Sequence, residues 1–199
     1  MIADCTALIL TGGESRRMGQ DKARLMLGEK PLLQHVASAL QPLFSETVVS
    51  VRSIRPDCNL PQVSDDPKHA GPLAGLAAGL AAAKTPWVFA VACDMPFVGA
   101  DLIARMAKFR CGFDAVVPVA SGHPQPLAAF YATKTLATVR ELLAADAPHS
   151  LRELLTRLSV RHVREHEMQQ HDLKCFFDLD TPDDLNLVID MDKRWNILK

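Results

Sequence analysis

The segment from Leu10 to Lys22 constrains this chain more than any other part of it. It follows a short apolar run, Cys5 to Leu10, which is typical of a strand buried on both faces of a parallel sheet. Its thirteen residues include three glycines and three cations: Gly12, Gly13, Gly19, Arg16, Arg17 and Lys22. Glycines let backbone N–H groups approach an anion closely, and the cations can neutralise a triphosphate. The pattern predicts a phosphate-binding loop between a strand and a helix.

An ordinary strand-to-helix turn with solvated arginines is the alternative interpretation of this loop. A turn accounts for one glycine pair, but not for Arg17, Gly19 and Lys22 together with the motifs described below. We expect Lys22 to stabilise charge on the α-phosphate of a nucleotide, and Arg17 to support the β- and γ-phosphates.

Composition limits what else the chain can be. Its 199 residues fit a single domain over residues 1–199, with room for a substantial core. With 22 basic and 23 acidic side chains, it has no overall field to attract nucleic acid or an anionic membrane, so we expect neither as a partner. Positive charge must instead be concentrated locally.

The cysteines and the apolar runs predict a cytoplasmic protein. No apolar run reaches the roughly 18 residues that span a bilayer, and the first residues lack the basic start of a signal peptide. The cysteines are odd in number and never spaced C-x-x-C, which predicts buried, reduced thiols. They are Cys5, Cys58, Cys93, Cys111 and Cys175.

Strand-like and helix-like patterns alternate along the chain. Strands are predicted at 5–10, 47–51, 62–63, 87–92, 114–119 and 127–131, and helices from 31 onward and at 73–83, 99–109, 134–145 and 150–158. This alternation is typical of a doubly wound α/β fold, a mostly parallel sheet with helices on both faces. Ligands of such sheets bind beyond the carboxyl ends of the strands, where both the glycine-rich loop and Asp94 fall. The segment 162–174 fits no element, and we expect its His162, His166 and His171 to be solvated surface residues.

Asp94 lies just past the predicted strand 87–92. Mg²⁺ prefers such carboxylates, taking one or two of them and filling its other positions with phosphate oxygens and water. A structural role, in which Asp94 caps the helix near Gly99 or closes a turn with Pro96, is the alternative. The favoured interpretation makes Mg²⁺ the cofactor.

Two further segments follow predicted strands or begin helices. Asp65 and Asp66 follow the short strand at Val63, where a simple turn before Pro67 is one interpretation. In the segment 71–75, a proline suits a helix start whose N–H groups could meet a phosphate or a base edge, or which could simply be close-packed.

Taken together, these motifs resemble those of a known family. The segment 10–22 fits the pattern L-x-G-G-x-S-x-R-M-G-x-D-K, and segments 71–75, 93–96, 123–127 and 180–185 match in the same order. In these segments, which span nearly the whole chain, the protein resembles the molybdenum cofactor guanylyltransferase family, within the Rossmann-like nucleotidyltransferases. The resemblance implies transfer of GMP from GTP to the terminal phosphate of molybdopterin, with release of pyrophosphate.

The motifs and the resemblance together assign the site residues. The resemblance implies that an aspartate after Val63 contributes to nucleotide binding; spacing does not separate Asp65 from Asp66, and we favour Asp66. Catalysis is assigned to Lys22, Arg17 and Asp94, and metal binding to Asp94 and Asp180. Nucleotide contacts are assigned to Leu10, Thr11, Gly12, Gly13, Lys22, Ser50, Asp66, Gly71, Pro72, Leu73 and Asp94. Acceptor contacts are assigned to His123, Pro124, Gln125, Asp178 and Asp180.

The sequence departs from the family pattern at three positions. Asp178 and Asp180 stand where the family usually has asparagines. Ser50 stands where many relatives have an asparagine. Two carboxylates facing a phosphorylated acceptor would repel it unless a cation lay between them. We therefore expect Asp178 or Asp180 to join Asp94 around Mg²⁺.

Other functions stay open on the sequence alone. Cytidylyltransferases of the same cofactor are related, although Gly12, Gly13 and the segment 71–75 look like the guanine type. A nucleotide-binding or cofactor-delivery module that has lost turnover would fit the three departures. Transfer to a sugar phosphate fits the fold, but the chain is short for the added acceptor elements. The protein partners implied by the resemblance are transient: other cofactor-biosynthesis proteins or molybdoenzymes.

Overall fold

A computed structural model describes residues 1–11, 21–145, 150–177, 179 and 184 of the chain. The strands in this part of the chain are β1 (Cys5–Leu10), β2 (Met26–Leu27), β3 (Lys30–Pro31), β4 (Glu46–Val51), β5 (Gln62–Ser64), β6 (Trp87–Ala92), β7 (Ala115–Ala120), β8 (His123–Pro124), β9 (Ala128–Ala132) and β10 (Val160–Val163). The helices are α1 (Leu32–Leu40), α2 (Pro72–Ala82), α3 (Ala100–Ala107), α4 (Leu136–Ala144) and α5 (Leu151–Thr156). Short 3₁₀ helices cover Lys22–Arg24, Thr133–Thr135, Glu165–Glu167 and Gln170–Phe176.

The main sheet has the strand order β10-β7-β9-β6-β1-β4-β5, with β8 paired to β7, while β2 and β3 form a separate hairpin. β1 pairs in parallel with both β4 and β6, and β9 runs antiparallel to both β6 and β7. The chain winds from β1 outward to β5 and then returns to β6 on the other side of β1. This reversal of strand order is where open α/β sheets bind ligands. The predicted doubly wound, mostly parallel sheet is confirmed.

Helices cover both faces of the sheet, as predicted. α1 and α3 pack on one face, where their apolar residues join Ala7 and Ile9 of β1. α2, α4 and α5 pack on the other face, against Leu8 and Leu10 of the same strand. Side chains alternate along β1 and so contribute to both cores, which explains why every residue of this strand except Thr6 is apolar.

Most predicted elements match the structure, and the differences have local causes. Pro31, expected at the start of a helix, pairs in β3 and precedes α1. Sequence analysis missed β2, β3, β8 and β10, which are two to four residues long and too short to show a period. The segment 162–174 contains the end of β10, the whole 3₁₀ helix Glu165–Glu167 and the first part of Gln170–Phe176.

The cysteines are all free. Cys5, Cys93 and Cys175 are buried, as predicted, but Cys58 is only half-buried and Cys111 is exposed. The prediction of buried thiols is therefore wrong for Cys111, which lies in the turn after α3 rather than in an element that packs on the sheet. Among the residues described, no helix has the length and apolar character to cross a membrane.

Gly79 lets α2 approach the sheet closely. A Cβ at this position would lie 2.9 Å from Leu8 Cγ and closer still to its methyl groups. Leu8 is fully buried and packed into the core, so it has little room to move. The glycine is therefore required by packing rather than by backbone conformation.

Gly79→Ala is expected to lower the free energy of unfolding by about 1–2 kcal/mol, because overpacking costs more than the gain in helix propensity. Urea denaturation measures this. In a Leu8→Ala background the overlap is removed, so the same substitution should become neutral or stabilising. An equal loss in both backgrounds would contradict the packing explanation.

Candidate active site

Three strand ends lie level at the carboxyl edge of the sheet. Leu10, the last residue of β1, is in register with Ser50 of β4 and with Ala92 of β6. Cys93 N donates to Leu10 O at 3.1 Å, and Thr11 donates to Ser50 O from its backbone N (3.2 Å) and its Oγ1 (2.7 Å). The chain that leaves β1 is thus tied to both neighbouring strands at the point where the glycine-rich segment begins.

Lys22 and Asp94 meet at this edge. Lys22 Nζ donates to Asp94 Oδ2 at 2.7 Å, and the two side chains are only 20% and 18% exposed. The predicted catalytic lysine and the predicted metal-binding carboxylate are therefore neighbours, although 72 positions separate them in sequence. Asp94 does not cap a helix, because α3 begins after Gly99 without a side-chain cap. Asp94 does lie in the turn that follows β6, as the other form of the structural alternative expected.

Asp21 and Arg55 hold the short helix that carries Lys22. Asp21 caps this helix by accepting from Ala23 N at 3.1 Å, and its other carboxylate oxygen lies 2.7 Å from Arg55 Nη1. Arg55 is in turn fixed through its backbone, which exchanges two hydrogen bonds of 2.8 Å with the Gln62 side chain. Sequence analysis missed Arg55, because the loop 52–61 has no pattern that links it to Lys22.

Ser50 and Asp65 form a buried pair at the end of β4. Ser50 Oγ donates to Asp65 Oδ1 at 2.5 Å, and the two residues are 0% and 8% exposed. Gly75 of α2 is packed against them, since a Cβ there would lie 2.6 Å from Ser50 Oγ and from a Leu10 methyl. The Ser50 side chain is therefore enclosed by Gly75 and Asp65. Its predicted contact with nucleotide would involve the Ser50 backbone, unless Gly75 and Asp65 moved away from the side chain.

Asp66, the predicted nucleotide contact, has different surroundings from Asp65. Its side chain is more than half exposed and accepts from Lys68 N at 2.9 Å, with His69 Nδ1 3.4 Å away. It closes the turn after β5, as the alternative interpretation expected. Exposure leaves it accessible to a ligand, so its nucleotide role stays a prediction.

The start of α2 needs its glycine. Gly71 precedes the helix with φ +89°, a left-handed conformation that glycine adopts without strain, and Pro72 occupies the first turn. The first turn of a helix has N–H groups without partners inside the helix, and these favour anions. Leu73 is buried and anchors this end to the core, so its predicted contact with nucleotide would be through its backbone.

The predicted acceptor residues lie on the other side of Asp94. His123 and Pro124 form β8, which pairs with β7 across a tight turn, and Gln125 N donates to Pro118 O at 2.8 Å. His123 is exposed, and it lines a cavity of about 510 Å³ together with Gln125 and Phe97. The structure thus places these residues at the same carboxyl edge as the predicted nucleotide contacts.

Several predicted site residues lie outside the described part of the chain: Gly12, Gly13, Arg17, Asp178 and Asp180. Leu179 is described; its N donates to Asp94 O at 3.1 Å, and its side chain is buried beside Leu27 and Leu32. This bond ties the later segment of the chain to the residue predicted to bind metal.

The described part of the chain gives little support for a metal cluster, a histidine site or a reactive thiol. No cluster of three or more His, Cys, Asp or Glu side chains there could hold a metal. His166 and His171 are exposed, as predicted. His162 was also predicted to be a solvated surface residue, but it is half-buried. Burial raises the pKa of Cys93 to about 12, so this thiol beside Asp94 serves packing rather than nucleophilic attack.

Replacement of Asp65 and of Asp66 by asparagine is expected to have opposite effects on the free energy of unfolding. Burial raises the pKa of Asp65 above its ordinary 3.8, and the hydrogen bond from Ser50 offsets this only in part. Asp65→Asn should therefore increase the free energy of unfolding at pH 7, and the gain should vanish as the pH falls through the raised pKa toward 3.8, since folded Asp65 then takes up its proton.

Asp66→Asn is the matched control. The Lys68 N–H, with a smaller contribution from His69, lowers the pKa of Asp66, so its charge stabilises the fold above pH 3.8. Its loss should decrease stability at pH 7, and the difference should disappear below the lowered pKa. Urea denaturation between pH 3 and pH 7 measures both, and effects of the same sign would contradict the assignment.

The chain is similar to known proteins along nearly its whole length. Residues 7–165 match the model of the MobA-like NTP transferase domain. A probable molybdenum cofactor guanylyltransferase of Chloroflexus aggregans is 36% identical, with 92% of each chain covered. The molybdenum cofactor guanylyltransferase of Vibrio cholerae is 31% identical, with 92% of this chain and 90% of that protein covered.

Solved structures agree with these matches. Molybdopterin-guanine dinucleotide biosynthesis protein A of Archaeoglobus fulgidus superimposes with a TM-score of 0.83 at 26% identity, covering 95% of this chain and 99% of its own. The 2-C-methyl-D-erythritol 4-phosphate cytidylyltransferase of Thermus thermophilus, with a TM-score of 0.69 and 22% identity over 94% of this chain and 98% of its own, shares the fold. The level strand ends, the Lys22–Asp94 contact and these matches lead to one conclusion: the chain belongs to the MobA-like nucleotidyltransferases, in the molybdenum cofactor guanylyltransferase family.

Proposed function

We propose that this protein transfers GMP from GTP to the terminal phosphate of molybdopterin or its metal-bearing form, with release of pyrophosphate. The observation that carries the proposal is the contact of Lys22 with Asp94 at the carboxyl edge of the sheet. Among the described residues, the predicted nucleotide contacts Thr11 and Ser50 lie at the ends of β1 and β4, and the predicted acceptor contacts His123 and Pro124 lie beside β7. The GMP group that is transferred from one ligand to the other would thus have its α-phosphate beside Lys22.

Each charge in the pair has a role in this transfer. An oxygen of the acceptor phosphate forms a bond to the α-phosphorus of GTP, and the bond from that phosphorus to the bridging oxygen of the β-phosphate breaks. Lys22 would stabilise the negative charge on the α-phosphate, and Arg17 that on the leaving pyrophosphate. The acceptor phosphate is ionised at neutral pH, so the protein aligns two anions and needs no nucleophile of its own.

Asp94 suits a hard divalent cation. It is a partly exposed carboxylate at a strand end, and Mg²⁺ commonly takes one or two carboxylates and completes its shell with phosphate oxygens and water. We assign Mg²⁺ to Asp94 and to Asp180; when bound, it would neutralise charge on the phosphate oxygens. The Lys22–Asp94 pair balances the two charges, and a nucleotide with its metal would supply each with a new partner of opposite sign.

Lys22→Ala is expected to lower the rate of pyrophosphate release by about 10²–10³-fold, because it removes a cation from the α-phosphate. The assay contains GTP, Mg²⁺ and molybdopterin. Thermal unfolding should show an intact fold, and Lys84→Ala, at an exposed lysine after α2, should keep full activity.

Asp94→Asn distinguishes the predicted role of Asp94 from that of Lys22. It should raise the Mg²⁺ concentration needed for half-maximal rate, whereas Lys22→Ala should leave that concentration nearly unchanged. Near-normal turnover of the lysine variant would remove Lys22 from the mechanism. GTP binding without any pyrophosphate release by the unaltered protein would instead identify a binding module.

We also expect the protein to use GTP in preference to CTP. The glycine pair at 12 and 13 resembles the guanine type in sequence, and the relatives at 31–36% identity are named guanylyltransferases. Pyrophosphate release is measured with each of the four nucleoside triphosphates at equal concentration. Faster release with CTP would move the protein to the cytidylyltransferases.

A further inference from the structure

The cavity beside the turn between β7 and β8 has the chemistry of a site for a flat heterocycle. Its volume of about 510 Å³ is within the range of small-molecule sites. Its walls include three phenylalanines, Phe97, Phe176 and Phe177, and its polar groups include Glu165 and Lys174. Sequence analysis singled out none of these five residues.

The aromatic walls are held in place from behind. Phe97 and Phe177 pack against the buried cluster of Leu27, Leu32 and Leu179, and Phe176 packs against the main core. Each ring is half-buried, so part of it remains at the cavity surface. Leu173, which is 40% exposed, adds a further apolar surface to the same cavity. Fixed rings that border an open cavity favour a planar aromatic ligand.

Glu165 supplies an acceptor on the cavity wall. Its carboxylate accepts a hydrogen bond from Ser121 N, which fixes it to the turn where Ser121 has φ +50°. A carboxylate has two oxygens and can accept further bonds. Pterins carry an amino group and a ring N–H side by side on one edge, and this pair of donors matches a carboxylate. Lys174, exposed and next to Leu173, supplies a positive charge for a phosphate.

We propose that this cavity binds the pterin ring of the acceptor, with Phe97 and Phe176 against the ring, Glu165 on its donor edge and Lys174 near its phosphate. This inference rests on the proposed function, because that function supplies the pterin. It assigns Glu165 to the choice of the heterocycle and Lys174 to affinity for the phosphorylated form.

Two matched pairs of probes test the two residues by calorimetry. Lumazine differs from pterin by a carbonyl oxygen in place of the amino group, so Glu165 should favour pterin by at least about tenfold. Glu165→Gln, which keeps an oxygen for Ser121 N–H, should abolish most of this preference. Lys174→Ala should weaken neopterin monophosphate about threefold to tenfold and leave neopterin unchanged.

Controls separate this inference from the proposed function. Lys108→Ala, at an exposed lysine that lines a different cavity at the amino end of the sheet, should change no affinity. Binding of GTP with Mg²⁺ is measured on the same preparations. If GTP binds but the protein does not bind pterin, or either variant behaves like the unaltered protein, this inference is overturned and the proposed function stands. Pterin binding without GTP binding would support the cavity and overturn the transfer reaction.

Discussion

The level ends of β1, β4 and β6 are the constraint on which the candidate site depends. Parallel pairing puts Leu10, Ser50 and Ala92 in one row, so the segments that follow them leave the sheet side by side. Lys22 and Asp94, which are far apart in sequence, are thereby brought close together in space. Because the strands are buried on both faces, a slip in register would disrupt two cores at once, which makes this alignment hard to disturb.

The charges of Lys22 and Asp94 are arranged so that neither has to be buried alone. Lys22 and Asp94 are largely shielded from water but lie within hydrogen-bond distance of each other. A buried charge that loses its partner is costly, and a triphosphate with a divalent cation offers both residues a replacement. Arg55 and Asp21 extend the same principle, since their ion pair fixes the cap of the helix that presents Lys22. The lysine is thereby placed before any ligand arrives, which lowers the entropic cost of aligning it.

Sequence patterns predicted the parts of this fold that have a period or a motif. The strands 5–10 and 87–92 were predicted at their observed bounds, because a short, mostly apolar run with polar residues, glycine or proline nearby at each end leaves little choice. Short elements such as β8 and β10 carry no period, and the contact between Asp65 and Ser50 depends on strand pairing that spacing alone does not reveal. Arg55, Glu165 and Lys174 were missed for the same reason. Their significance comes from what lies across from them in space.

The reversed strand β9 explains how the predicted acceptor residues reach the carboxyl edge. In an all-parallel sheet, the segment before a strand lies at the amino edge, far from the ligand. Since β9 runs antiparallel to β6, the segment before it returns to the carboxyl edge, where Leu127 O accepts from Ala92 N at 3.0 Å. His123 and Gln125 are thus brought to the side of the sheet that holds Asp94. One antiparallel strand thus puts the predicted nucleotide and acceptor contacts on a single edge, which is the geometry that the proposed direct transfer between two bound ligands requires.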